Sequence, residues 1–254
     1  MEKISLLSLI VPAYKQEKTI VENIRDLNKS LTQLGVAYEI IVVVDGKSDK
    51  TYEVAQRIRS KKIRVLGYKK NQGKGHAIKY GVARARGDII GFIDAGMDID
   101  PSGISMLLSH MIWYDADIII GSKLHPVSQV NYPLWRKIIS WAYRSLTRIL
   151  FGFKVRDTQV GIKIFKRDVA TSVFPLLLVK SFAFDIEVLA VAYSLGYKRI
   201  FEAPIKLNLN TMNTTITNKS FWKVILLMLW DTLAVFYRVR ILRYYRKEQI
   251  RIDI

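Results

Sequence analysis

Along the first half of the chain, short apolar runs of β type alternate with stretches whose apolar residues recur at helical spacing. That alternation is the mark of repeated strand-helix-strand units and of a mostly parallel sheet flanked by helices, an α/β fold. The pattern predicts strands over residues 6–11, 39–44, 63–67, 89–94 and 117–121, and helices over 19–34, 51–59, 75–85 and 102–113. In an open sheet of this kind ligands collect beyond the carboxyl ends of the strands, which puts the cleft at Pro12 to Tyr14, Asp45 and Asp94 to Asp98.

After Ser122 the pattern changes. Residues 132–153 place Trp135, Ile138, Ala142, Leu146, Ile149 and Phe153 on one helical face and Lys137, Ser140, Arg144 and Arg148 on another, a basic amphipathic helix. Residues 221–237 are strongly apolar, interrupted only by Lys223, Asp231 and Thr232 and flanked by Lys219, Arg238, Arg240, Arg243 and Arg246. A spanning helix needs about 20 predominantly apolar residues, and an Asp at its centre is costly. The expectation is a helix lying in the membrane interface, with a core or dimer helix and a true span as the alternatives. Basic residues beside aromatics favour an anionic, cytoplasmic leaflet, with peripheral or monotopic attachment. The apolar run from Ile4 to Val11 reads as the first buried strand, because Glu2 precedes it and no small-residue cleavage site follows.

The 254 residues, half of them hydrophobic, suffice for one main core with an appendage. The division expected is a catalytic domain over 1–210 and a basic amphipathic membrane-associating segment over 211–254. Forty Lys and Arg against 22 Asp and Glu give a net charge of +18, which implies an anionic partner: nucleic acid, a phosphorylated substrate or an acidic membrane. With no cysteine, a metal must rest on oxygen ligands or on His76, His110 or His125, which favours Mg²⁺ or Mn²⁺.

The stretch NQGKGHAIKYGVARARGDIIGFIDAGMDIDP, residues 71–101, carries the most chemistry. Gly73, Lys74 and Gly75 form a turn whose backbone can approach phosphate oxygens while the lysine meets their charge. A helix and a buried strand follow, and Asp94, Asp98 and Asp100 come at the strand's end. Together they point to a bound nucleotide with a metal on its diphosphate.

Taken in order, VPAYKQEKTI (11–20), VVVDGKSDKT (42–51), the 71–88 motif, IDAGMD (93–98), GSK (121–123), DTQVGIKIFKR (157–167) and FDIEVLAVAYSLGYKRIFEAPI (184–205) resemble a family-two glycosyltransferase of GT-A, Rossmann-like fold. Within that family the chain is similar to the polyprenyl-phosphate hexosyltransferases, and DTQVGIK with FDIE is more similar to the dolichyl-phosphate glucosyltransferase branch than to the dolichol-phosphate mannose synthase branch.

The resemblance implies roles for particular residues. Pro12, Tyr14 and Glu17 match positions that hold the base and ribose of a nucleotide sugar, Asp45 one that contacts the base, and Lys74 one that neutralises the diphosphate. Asp94 and Asp98 would hold the metal, and Lys123 and Arg136 match the basic positions that grip the acceptor phosphate in line with the anomeric carbon. Asp157, Gln159 and Lys163 would shape the sugar and acceptor pocket, with Asp185 and Glu187 near sugar hydroxyls or Asp185 as a helix cap. Four features depart from the pattern: Gly96 and Val44 where relatives often carry acids, Lys123 for arginine, and KLNLNTMNTTITNKS after Ile205 where a Trp and an Arg are usual.

The function implied is inverting, metal-dependent transfer of a hexose from a UDP- or GDP-sugar to a polyprenyl or dolichyl phosphate at the cytoplasmic membrane face. Other acceptors, glycolipid or polysaccharide, and a nucleotide-binding protein without turnover are the rival readings. A nucleic-acid partner would explain the charge but not the ordered motifs, and the sequence leaves the oligomeric state open.

Overall fold

The computed structural model describes residues 4–123, 134–181, 183–207 and 218–246, with the side chains of 134–138 and 218–224 outside the description. Seven strands form one sheet in the order β3-β2-β1-β4-β6-β5-β7, with β1 Leu6–Ala13, β2 Ala37–Val44, β3 Ile63–Gly67, β4 Ile89–Ile93, β5 Ile118–Ser122, β6 Ile162–Lys166 and β7 Ile200–Pro204. β1 pairs in parallel with β2 and β4, and β2 with β3. β6 runs antiparallel between β4 and β5, and β7 lies parallel to β5 at the edge.

Every residue of β4 and of β5 is buried, as expected for strands covered by helices on both faces. The helices are α1 Ile20–Thr32, α2 Thr51–Ala55, α3 Lys74–Val82, α4 Ile104–Trp113, α5 Leu134–Phe151, α6 Arg167–Val173, α7 Phe184–Ser194 and α8 Asn218–Phe236. α1 buries Ile20, Ile24, Leu27 and Leu31, one stripe at helical spacing. α2 is shorter than its sequence pattern suggests, because Arg57 and Ile58 bond three residues back, to Val54 and Ala55, and the helix runs out in a tighter turn. α4 is preceded by a 3-10 turn, Pro101–Gly103, whose Ser102 amide is capped by the Asp100 carboxylate at 2.9 Å. Asp100 thus serves the helix start rather than the carboxylate cluster.

α7 is apolar on all sides and buried from Phe184 to Ala192, so it runs through the core instead of along its surface. The C-terminal part joins the same core. Thr232, Val235 and Tyr245 are buried, the Tyr143 hydroxyl on α5 lies 2.8 Å from that of Thr232 on α8, and Phe151 meets Phe236 edge to face. A π-helical turn, Tyr237–Ile241, follows α8. Among the described residues no helix is long and apolar enough to cross a membrane.

Candidate active site

The loops beyond β1, β2 and β4 converge. After β1, Pro12 is half-buried and Tyr14 exposed, and Lys15 turns the chain with a φ of +53°. The Gln16 amide donates to Thr51 Oγ1 at 2.8 Å, and the Glu17 carboxylate accepts the Lys50 amide at 3.1 Å. These bonds tie the β1 and β2 loops into one wall, with Tyr14 at its lip.

Asp45 is buried, and its carboxylate is filled from within the chain. It accepts the Tyr68 hydroxyl at 2.8 Å, the Asn71 amide group at 3.0 Å, and the Gln72 and Gly73 main-chain amides at 2.7 and 2.9 Å. Burial, then the Asp45 carboxylate, hold the Tyr68 phenol strongly upward and un-ionised. Asp45 therefore shapes the phosphate-type turn from below. Gly46 permits this at a φ of +82°, since a Cβ there would lie 2.5 Å from the Asn71 nitrogen.

Lys74 opens α3, and its ammonium lies 2.8 Å from Asp94 Oδ1 and 3.7 Å from Asp185 Oδ2. Asp185 in turn faces the fully buried Lys163, whose ammonium reaches Asp185 Oδ1 at 2.5 Å and the Val160 carbonyl at 2.7 Å. A chain of alternating charge, Lys163–Asp185–Lys74–Asp94, therefore joins four sequence motifs. Burial alone would lower the Lys74 pKa, but the carboxylates of Asp185 and Asp94 outweigh it and hold the ammonium protonated. Asp185 has no N-cap role, because Ala183 occupies that position.

Asp94 leaves the end of β4 with its amide bonded to the Gly161 carbonyl at 3.0 Å. Its Oδ1 is buried and accepts no directed hydrogen bond, so the contact with Lys74 is a charge pair. The other carboxylate oxygen lies flat on Gly161, where a Cβ would sit 2.1 Å away. Met97 makes the turn beyond, at a φ of +51°, and Asn23 of α1 fixes it by donating to the Ala95 carbonyl at 2.8 Å. Asp98 is exposed, and its two oxygens lie 3.9 and 4.0 Å from where a Cβ of Gly96 would be. The Asp98 carboxylate thus faces the space that the missing side chain at 96 leaves open. Among the described residues no three His, Asp or Glu side chains group as a complete metal cluster. His76 packs edge-on against Tyr68, and His110 Nδ1 lies 2.9 Å from the Met106 carbonyl.

At the end of β5, the Lys123 amide donates to Asp157 Oδ2 at 3.0 Å, and burial pushes the Asp157 carboxyl upward against the pull of Lys123. Gln159 is exposed and donates to the Met228 sulfur of α8 at 3.0 Å. Arg136 belongs to α5, and its side chain lies outside the described residues, as does His125. Gly161 and the Lys163–Asp185 pair are the parts that motif reading did not single out as a unit. Lys163, flanked by Ile162 and Ile164 inside the strand IKIFK whose other lysine stands at its end, is the signal that could have shown the pair.

The pair makes a pH prediction. Burial raises the Asp185 pKa, but Lys163 and Lys74 outweigh it and hold the carboxyl below its ordinary 3.8. A folded value below the unfolded one contributes stability that is fully present above the ordinary carboxyl range and lost as pH falls through the folded value. Urea midpoints measured from about pH 6 down to about pH 3 should therefore decline less steeply in Asp185→Asn than in the wild type. Equal slopes would contradict the assignment.

The fold is shared with a solved glycosyl-transferring enzyme. The chain is similar to glucosyl-3-phosphoglycerate synthase from Mycobacterium tuberculosis in complex with Mn²⁺, uridine-diphosphate and phosphoglyceric acid, with a TM-score of 0.70 at 19% identity over 91% of this chain and 78% of that one. The architecture is thus the GT-A fold. In sequence, residues 8–174 match glycosyl transferase family 2, and the chain belongs to that family. It is 33% identical over 205 residues to the dolichyl-phosphate beta-glucosyltransferase of Drosophila melanogaster, covering 74% of this chain and 63% of that protein. It is 32% identical over 217 residues to the Homo sapiens protein of the same name, covering 78% of this chain and 64% of that one. The chain thus spans less than two thirds of the length of these curated relatives.

Proposed function

We propose that the protein transfers one hexose, with inversion, from a UDP- or GDP-sugar to a polyprenyl phosphate at a membrane surface, as the names of its curated relatives suggest for the acceptor. The observation that carries the lipid acceptor is the continuity between the Lys74–Asp94 site and the α5–α8 helix pair. Gln159 reaches Met228, and Ser181 donates to Asp231 at 2.6 Å. On the outer sides of that pair Trp141, Ile149 and Trp230 are 64%, 80% and 73% exposed, with Arg148, Arg240 and Arg243 also at the surface. Apolar area with basic residues beside it suits an anionic bilayer surface such as a cytoplasmic leaflet.

On this reading Tyr14 and the β1–β2 wall receive the nucleoside, and Lys74, at the N-terminus of α3, meets the diphosphate. The residues present fit a divalent cation. Asp94 offers a buried oxygen whose counter-charge among the described residues is the Lys74 ammonium, and Gly96 leaves the Asp98 carboxylate open on its side. Mg²⁺ or Mn²⁺ held by Asp94 and Asp98 would supply Lewis-acid charge to the leaving nucleoside diphosphate. Asp185 gives Lys74 a second carboxylate, so Lys74 keeps a partner when Asp94 turns to a cation. Lys123 and Arg136 are assigned the acceptor phosphate. With a second phosphate pKa of about 6, that phosphate carries its own ionised nucleophile, and no side chain need remove a proton.

The test is a panel of labelled UDP- and GDP-hexoses offered with polyprenyl phosphate in anionic vesicles, with and without Mg²⁺ or Mn²⁺. Labelled lipid from one donor is expected, and none from any donor would sink the reading. Asp98→Ala should raise the metal concentration for half-maximal activity by about tenfold or more, since charge count in the ligand set tunes affinity. An unchanged metal titration would remove Asp98 from the site.

A further inference from the structure

Glu187 is fully buried in α7, takes no part in the transfer just described, and joins the stretch of chain just before α7 to the distant C-terminal segment. Its Oε2 accepts the main-chain amides of Leu178 and Val179 at 3.0 and 2.8 Å, and its Oε1 accepts the Tyr245 hydroxyl at 2.5 Å, with Arg238 Nη2 3.8 Å away. The strap of residues 177–181 that it grips forms the outer wall of the phosphate-type turn. The Gly75 amide donates to the Lys180 carbonyl at 3.2 Å, and a Cβ on Gly73, at a φ of +95°, would lie 2.4 Å from that same oxygen. A Cβ on Gly75 would fall 2.6 Å from the Val179 carbonyl. Lys79 of α3 fastens the start of the strap through the Pro175 and Leu177 carbonyls, and Ser181 fastens its end to Asp231 of α8.

The turn is thus clamped from two sides, by the Asp45 carboxylate beneath and by the strap above. Of these two, the strap is the one tied to the C-terminal helices among the described residues. This also explains the Asp231 that interrupts an apolar helix: it is a docking point for Ser181.

We infer that Glu187 is a positioning residue for the donor diphosphate, holding the strap against Gly73–Gly75 through the Leu178 and Val179 amides while the Tyr245 hydroxyl of the C-terminal segment holds Glu187 itself in place. The inference rests on the reading of the Lys74 turn as the diphosphate site. It makes donor affinity depend on residues that never touch the donor, while the chemical step at Asp94 and the acceptor grip stay as they are.

The experiment is donor binding by calorimetry, with kcat and both KM values, on the full chain and on Tyr245→Phe, which keeps the buried ring and deletes only the hydroxyl. Ser181→Ala, at an exposed position, loosens the strap from the α8 side and serves as the second variant should the first fail to fold. Each variant should weaken donor binding by about three- to tenfold, the range for the net worth of one ordinary hydrogen bond, since the lost bond reaches the donor only through the strap. kcat at saturating donor and the acceptor KM should stay within about twofold. Donor binding equal to wild type in a folded variant would overturn the inference. So would a parallel fall of kcat, both KM values and the melting temperature, which a merely structural role produces. A wild-type protein that binds no nucleotide sugar would overturn the diphosphate-site reading itself, a separately recognisable result.

Discussion

Replacing Asp94 by alanine or asparagine is expected to lower the turnover of hexosyl transfer by at least about 10³-fold, close to 4 kcal/mol of transition-state stabilisation. The size follows from what the residue concentrates: the end of β4, the buried oxygen opposite Lys74, and the larger share of the candidate metal ligation. Folding should change little, because the Asp94 side chain is 44% exposed and Lys74 retains Asp185. Melting curves and single-turnover rates on Asp94→Asn separate the two effects. A folded variant with wild-type turnover would take Asp94 out of the reaction.

The second large effect comes from a residue with no side chain. In Gly161→Ala the new Cβ would lie 2.1 Å from one Asp94 carboxylate oxygen and 2.6 Å from its carbon, so the carboxylate must move. Gly161 does not have a positive φ, and alanine meets no backbone penalty there. The loss should therefore be catalytic first. A displacement of the order of an ångström at a reacting centre costs about 10²-fold, whereas overpacking costs about 1–3 kcal/mol of stability. Activity near wild type, with a metal titration to match, would show that Asp94 does not need its seat on Gly161.

How much of this was legible in the sequence differs from element to element. β3 falls at 63–67 as the pattern predicts, although Arg64 stands inside it, because it comes in turn in the strand-helix alternation of the first half. β6 and β7 are not predicted, since they lie after Ser122, where the strand-helix alternation ends, and each also carries a charged residue inside a five-residue run, Lys163 in one and Glu202 in the other. In the first case the charge is satisfied by Asp185; in the second, Glu202 accepts the Arg156 and Asp157 amides of a loop crossing the edge strand. The antiparallel course of β6 was invisible for the same reason, and it is what carries Gly161 and Lys163 to the end of β4.

The candidate site was legible as a set of ordered motifs and illegible as a network. Lys74, Asp94, Lys163 and Asp185 each stand in one of those motifs, but their pairing depends on contacts across up to 111 residues of chain. No local pattern encodes contacts of that range. Asp45 shows the opposite difficulty. A carboxylate at a strand end suggests a ligand, yet this one is saturated by four donors from its own chain. Arg136 and residues 208–217, which the family resemblance ties to the acceptor and to closure over the donor, have their side chains outside the described residues.

The most direct test of the central claim sets two acceptors against each other in one reaction. Purified protein, one labelled nucleotide hexose and a divalent cation are incubated with polyprenyl phosphate in anionic vesicles and with a soluble phosphorylated acceptor such as phosphoglyceric acid at equal concentration. The account predicts label in the organic-extractable lipid and essentially none in the aqueous product. Label that goes to the soluble acceptor, or to neither, would contradict it.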